Sequence, residues 1–370
     1  MEMKDKLIQT FKELVSIDSP SYGEREVAQY LKKRFAELGI HLEEDQGGIE
    51  CGSNTGNLYA YVEGELPGEP VLLGTHMDTV EPSKGKKAIL HEDGRITSDG
   101  TTVLGADDLG AVAAVLEAVV YLKKNQIPHK SFELLFTVGE ELYCEGAKKL
   151  DYRKMKSKYA YALDLTGEIG TAAYAAPTLI SFKATVNGKA AHAGMTPEKG
   201  IHAIVTAAKA ISQMPQGYID EVTTANVGTI EGGAGINIVP ERCVLRGEIR
   251  CMKHETALHV AEEYKKILEE TAREAGATAE WEEQIHIKAY ETDQSSPVVE
   301  AFRQACEKLN IPVELTTTFG GSDNNIFAEH GIEGIVLASA MYQMHSCQEY
   351  TTVDGLEKTE KIVVELLKEE

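Results

Sequence analysis

Residues 70–80, PVLLGTHMDTV, open as a strand and close on chemistry. The aliphatic run Val71–Leu73 suits a strand covered on both faces. Side chains two apart on a strand point the same way, so His76 and Asp78 are expected to meet at its C-terminal end. In an open α/β sheet that end borders the crevice where ligands bind. Alone, the pair reads equally well as a core histidine satisfied by a carboxylate. Its surroundings decide.

On either side, helical and strand patterns alternate through the first 170 residues. Helices are predicted near 3–17 and 24–38, strands at 57–64 and 70–77, a long helix at 110–125, and strands at 131–139 and 159–165. This is an α/β pattern, a mainly parallel sheet with helices on both faces. Residues 83–100 read as a hairpin-like segment. After Pro177 the order becomes β-α-β-β-α-β, the split arrangement of ferredoxin-like α+β domains. The α/β pattern then resumes with helices at 297–310 and 355–370 around a strand at 331–339. The expected division is 1–177 and 289–370 for one domain, with 178–288 inserted as a second.

The totals agree with this layout. A chain of 370 residues is long for a single core. A net charge of −22 excludes a nucleic-acid or anionic-membrane partner, both of which call for basic surface. The N-terminal pattern, with Leu7, Phe11, Leu14 and Val15 on one face, is an amphipathic helix without the apolar core of a signal peptide. No apolar run approaches the ~18 residues of a membrane span. Six cysteines show neither a CxxC pair nor framework spacing, which points to the cytoplasm.

Four further motifs lie where strands end or loops leave them: LGADDLGAV (104–112), TVGEELYCEG (137–146), ALDLTGE (162–168) and MHSCQEYTTV (344–353). With the opening stretch they offer His76, Asp107, Glu141, Asp164 and His345 as metal ligands. Singly, an Asp pair before a helix is an N-cap and Glu-Glu a solvated face. Together they form a set of two imidazoles and three carboxylates, suited to zinc, cobalt or manganese. Five ligands exceed what one open catalytic zinc takes, and they serve two metals if one carboxylate bridges. Two divalent cations, three carboxylates and a hydroxide also sum to zero charge. Cys347, two residues past His345, reads as a small buried hydrophobe rather than a thiolate ligand.

These motifs, in this order and over essentially the whole chain, resemble the co-catalytic zinc peptidases that include peptidase T, carboxypeptidase G and acetylornithine deacetylase. The pattern is most similar to the peptidase T-like branch. The resemblance implies two metal ions, zinc foremost, with Asp107 bridging, His76 and Asp164 on one ion, and Glu141 and His345 on the other. It implies a cis Asp107–Asp108 peptide. Asp78 would orient His76, and Glu140 would be the general base, diverging from Glu141 along an extended segment. The inserted domain resembles a lid through which a homodimer forms. In it His192 would stabilise the oxyanion, and Asn237 and Arg250 would bind substrate polar or carboxylate groups. Arg250 has a plain rival reading as an ion pair with Glu248. Gly320, Gly321 and Ser322 in FGGSDNNIF would line the substrate pocket, or form only a tight turn and helix cap. Leu109 stands where the family commonly carries a basic residue. The implied activity is an aminopeptidase acting on tripeptides. An N-acyl amino acid deacylase or carboxypeptidase is the alternative, and a metal-binding protein without catalysis the third reading.

Overall fold

The aliphatic run at 71–73 lies in the strand Leu66–His76, flanked on both sides by parallel partners. In the computed structural model, which describes residues 3–368, these strands belong to a large mixed sheet. Its order is Glu43–Glu44, Leu58–Val62, Lys130–Thr137, Leu66–His76, Tyr159–Thr166, Glu333–Met341, Thr171–Ala176 and Tyr290–Glu291. The middle four run parallel. Leu58–Val62 and Thr171–Ala176 flank them antiparallel, and Glu314–Thr317 pairs in parallel with the latter. The parallel set forms the centre of the mixed sheet. Strand composition is silent about direction when both faces are covered; the connections decide it.

The long helix is Ala106–Lys124, and almost every residue from Ala106 to Leu122 is buried. A helix that is apolar all round belongs inside the core. It packs beside Met3–Val15 and the C-terminal helix Val353–Leu367. Its one acid beyond the first turn, Glu117, is satisfied by the Thr10 hydroxyl at 2.7 Å and the Arg34 guanidinium at 2.6 Å. Glu360, on the C-terminal helix, is buried too, but neither of its oxygens has a hydrogen-bond partner among the described residues. Burial, reinforced by the charge of Glu117, raises its carboxyl from 4.5 to about 8. An acid raised on folding binds its proton more tightly in the native state, so stability is lost as pH climbs between those two values. Glu360→Gln removes that dependence. Thermal unfolding should find the variant close to wild type at pH 5 and clearly more stable at pH 9, whereas a constant offset at both pH values would refute the assignment.

Residues 83–100 do contain a hairpin, Ile89–Leu90 against Arg95–Thr97. Tyr350–Thr352 adds a third strand to it. The chain divides into two compact units. One comprises the residues up to Ala175, Glu291–Thr318 and the residues from Ser322 onward, and the other Ala176–Tyr290 with Phe319–Gly321.

In the second unit the strands Thr223–Gly232, Arg242–Cys251, Thr178–Asn187 and Thr278–Ile287 form an antiparallel sheet in that order. This is the ferredoxin-like arrangement, with a short added edge strand, Gly217–Asp220. Period-2 alternation puts Ile180, Ala184, Leu245 and Ile249 into its core, where Tyr264 and Leu268 of the helix His254–Glu274 meet them.

Candidate metal centre

The four central parallel strands deliver their chemistry at one edge, where their C-terminal ends lie. His76 is the last residue of its strand. The strand ending at Thr137 turns at Gly139, whose φ of 58° is left-handed, into the short 3-10 helix Glu140–Leu142. Asp164 lies near the end of Tyr159–Thr166. His345 follows the strand that ends at Met341 and itself adopts a left-handed φ of 59°. Asp107 stands at the start of the long helix, and its peptide bond to Asp108 is cis.

Asp107 divides its two oxygens between two imidazoles. Oδ1 is 3.1 Å from His76 Nε2, and Oδ2 is 3.3 Å from His345 Nε2. His345 Nε2 is also 3.1 Å from the Glu141 carboxylate, while His76 Nε2 lies 4.0 Å from Asp164 Oδ1. On the far side of its ring, His76 Nδ1 is 3.0 Å from the Asp78 carbonyl and 3.3 Å from Asp78 Oδ1. Asp78 holds a proton on Nδ1, so that the neutral ring would offer its Nε2 lone pair to a metal.

Ligand atoms cluster in three overlapping groups among the described residues: His76–Asp107–Glu141 and His76–Glu140–Asp164, which share His76, and Glu140–Cys144–Asp323. Donors around a tetrahedral ion with bonds of ~2.0–2.1 Å lie about 3.3 Å apart, so the contact distances here are of ligand-shell size. The electrostatics agree. Burial, then the charge of Asp164, holds the Glu140 carboxyl well above the ordinary range. Burial and Asp107 do the same to Asp164, and burial raises Glu141. Burial also acts to raise Asp107, but its hydrogen bonds with His345 and His76 outweigh that and pull it below the usual carboxylate range. Those with Asp107 and Glu141 in turn raise His345 to about 10. So many carboxylates, buried together, call for cations. Among the described residues, the ion-pair partners of Asp107, Glu141 and Asp164 are the two imidazoles. The donor set fits divalent metal.

Known proteins agree with this geometry. The peptidase dimerisation domain family, M20_dimer, matches residues 174–276, and Peptidase family M28 matches residues 57–218. The protein YqjE of Bacillus subtilis (strain 168) is 40% identical over 369 residues, covering 100% of this chain and 99% of that one. A tripeptidase from Staphylococcus aureus subsp. aureus Mu50 superposes with a TM-score of 0.96 at 34% identity, over 99% of this chain and 98% of that one. The aminopeptidase PepT of Bacillus cereus ATCC 10987 superposes with a TM-score of 0.93 at 39% identity, over 99% of both chains. The chain belongs to the peptidase T-like M20 metallopeptidases.

For an M20 metallopeptidase, several contacts around the acidic turn were not legible in the motifs. The expected extended segment at Glu140–Glu141 is a 3-10 turn, and the two side chains diverge on it into different ligand clusters. Asp78 does more than touch His76. Its Oδ1 accepts the Glu140 N–H at 3.0 Å, and its Oδ2 accepts the Glu141 N–H at 3.3 Å and the Ser21 hydroxyl at 2.7 Å. Glu24, fully buried, accepts the Gly139 N–H at 3.0 Å. The Cys144 thiol donates to Glu140 Oε1 at 3.4 Å, and the same cluster includes Asp323, held by the Thr137 hydroxyl at 2.5 Å. Apart from Cys144, four residues from Glu140, no spacing rule reaches these partners, because each comes from a different element. Cys347 is half-buried rather than buried and is absent from the ligand clusters found among the described residues. Leu109 is a core residue with no exposed surface.

The remaining predicted residues of this peptidase T-like chain fall in or beside the second unit. His192 and Asn237 lie on adjacent loops joined by the Ala193 N–H to Asn237 carbonyl bond at 3.0 Å. His192 Nδ1 accepts the N–H groups of Gly194 and Met195 at 3.2 and 3.1 Å, which leaves Nε2 to carry the ring proton outward. Arg250 grips Glu248 through Nε and Nη2 at 2.9 and 3.2 Å, and its Nη1 donates to the Phe319 carbonyl at 2.8 Å. Gly320 is exposed and Gly321 half-buried in the turn that follows. Ser322 is buried and caps the helix Asp323–Glu329 in a capping box with Asn325, so its hydroxyl serves the helix end.

Proposed function

We propose that this metallopeptidase is a dinuclear, zinc-dependent aminopeptidase that releases the N-terminal residue of short peptides, tripeptides foremost. The observation that carries the reading is the division of the Asp107 oxygens between His76 and His345, the arrangement a bridging carboxylate needs. His76 and Asp164 would complete one ion's shell, and Glu141 and His345 the other, with cobalt or manganese as alternative metals. The aminopeptidase and tripeptidase functions of the two structural relatives support the substrate class.

Metal held by these residues would supply Lewis-acid polarisation of the scissile carbonyl and a water acidic enough to react at neutral pH. Glu140, its carboxylate steadied by the Cys144 thiol and its backbone by Asp78, takes the proton from the attacking water and returns it to the leaving amine. His192, with Nε2 protonated, is a donor for the developing oxyanion. Asn237, Gly320 and Gly321 are assigned to substrate contacts. Arg250 reads a substrate carboxylate only by sharing a guanidinium that already holds Glu248.

The second unit carries exposed Val205, Tyr218, Ile230, Ile236 and Ile238, apolar surface in keeping with a homodimer formed through it. All six cysteines are free, as a reducing cytoplasm favours, and no helix among the described residues is long and apolar enough to cross a membrane. The test is product analysis on free-amine tripeptides, dipeptides, and N-acetyl and N-succinyl amino acids, with metal content and light scattering measured on the same preparation. Expected are fastest release of the N-terminal residue from tripeptides, two ions per chain and a dimer. Preferential cleavage of acylated amino acids, or release of the C-terminal residue, would instead identify a deacylase or a carboxypeptidase.

A further inference from the structure

The motif MHSCQEYTTV holds a residue with no part in the chemistry so far, Glu349. Its side chain is buried, and both oxygens are spent on backbone. Oε2 accepts the N–H groups of Leu104 and Gly105, each at 2.7 Å, and Oε1 accepts that of Asp107 at 2.9 Å. Three charge-assisted bonds converge on the four residues that lead into Asp107. Gly105 permits the convergence: its φ of 79° is left-handed, and a Cβ there would come within 3.1 Å of the Thr79 side chain.

The loop that carries Glu349 is itself clamped. Tyr342 and Tyr350 exchange backbone bonds, each at 3.0 Å, and the Glu349 N–H donates to the Ser346 carbonyl at 3.1 Å. His345 lies inside the loop so closed. One short loop therefore bears His345 and also grips the backbone of Asp107, whose Oδ2 faces that histidine.

We infer that Glu349 is a positioning residue for the metal pair: it sets Asp107 against His345, so that both ions are held at one geometry. It touches neither metal nor substrate. The inference rests on the dinuclear reading above, with Asp107 as the shared ligand. Partners standing behind metal ligands, when lost, typically cost about 10–100-fold in metal affinity.

The near-isosteric Glu349→Gln tests it. An amide keeps one acceptor oxygen but points an NH2 group at N–H donors, so at least one of the three bonds is replaced by repulsion. The readout is metal retention: zinc-loaded protein is titrated with a chelator, and bound zinc and the melting temperature of the metal-free form are measured. Asp45→Asn is the control, because Asp45 likewise holds backbone N–H groups, those of Gly47 and Asn57, but none of a ligand residue. Glu349→Gln should release zinc to a chelator about 10–100-fold weaker than the one wild type requires. Excess zinc should restore its occupancy, and its metal-free melting temperature should stay near that of wild type. Asp45→Asn should keep wild-type zinc retention.

Equal zinc retention in Glu349→Gln and wild type overturns the inference. So does a loss matched by an equal fall in metal-free stability, which would make Glu349 a structural residue only. If Glu349→Gln does not fold, Glu349→Asp decides: weakened zinc retention in a folded protein upholds the role, and wild-type retention or failure to fold rejects it. A wild type that holds no zinc, cobalt or manganese defeats the dinuclear reading itself, a result distinct from all of these.

Discussion

Replacing Glu140 by glutamine is expected to lower kcat by roughly 10²–10⁴-fold while bound metal stays near wild-type content. The amide keeps the shape of the side chain, and its oxygen can still accept from the Cys144 thiol, now at 3.4 Å. What it loses is the capacity to take a proton from water and give it to the leaving amine. The backbone of the turn remains held by Asp78, so Glu141 stays where it is. Metal analysis and steady-state kinetics on one preparation separate two explanations. Glu140 also lies in a ligand-sized cluster with His76 and Asp164. A variant that loses an ion along with its activity would make Glu140 a ligand, and one with nearly unchanged kcat would remove it from the mechanism.

Asp107→Asn is expected to cost at least one of the two ions and about 10³-fold in kcat, since Lewis-acid assistance amounts to several kcal/mol and each 1.36 kcal/mol is tenfold. The carboxylate meets His76 through one oxygen and His345 through the other. Asparagine offers one oxygen and one NH2, so it can serve only one of those two sides. Far-UV circular dichroism should be unchanged, because the Asp107 backbone N–H stays bonded to Glu349. Two ions per chain in a folded Asp107→Asn protein would show that the ions do not share this residue.

Much of the site was legible because its residues sit next to strong local patterns. The run at 71–73 and the alternation that follows announced both the strand and the pairing of His76 with Asp78, now 3.3 Å apart. The β-α-β-β-α-β order emerged from periodicity alone, and the sheet follows it with one short strand added. Thr171–Ala176 escaped notice because TAAYAA lacks the β-branched signal of a strand; it forms where the edge of Glu333–Met341 needs a partner.

The sequence by itself determined which residue types stand at the strand ends, since those follow from patterns only a few residues long. Tertiary structure decided how each is used. By sequence Arg250 reads as a guanidinium for a substrate carboxylate or for Glu248, and in the fold it pairs with Glu248. Ser322 reads as a pocket residue or a helix cap, and in the fold its oxygen caps the helix that starts beside it. Asp107 became the shared point of two imidazoles only when strands ending at His76 and Met341 were brought to one edge of the sheet. A motif fixes what a side chain can donate or accept. The partner it meets depends on chain segments hundreds of residues away, and burial, which penalises an unsatisfied polar group, weights that choice.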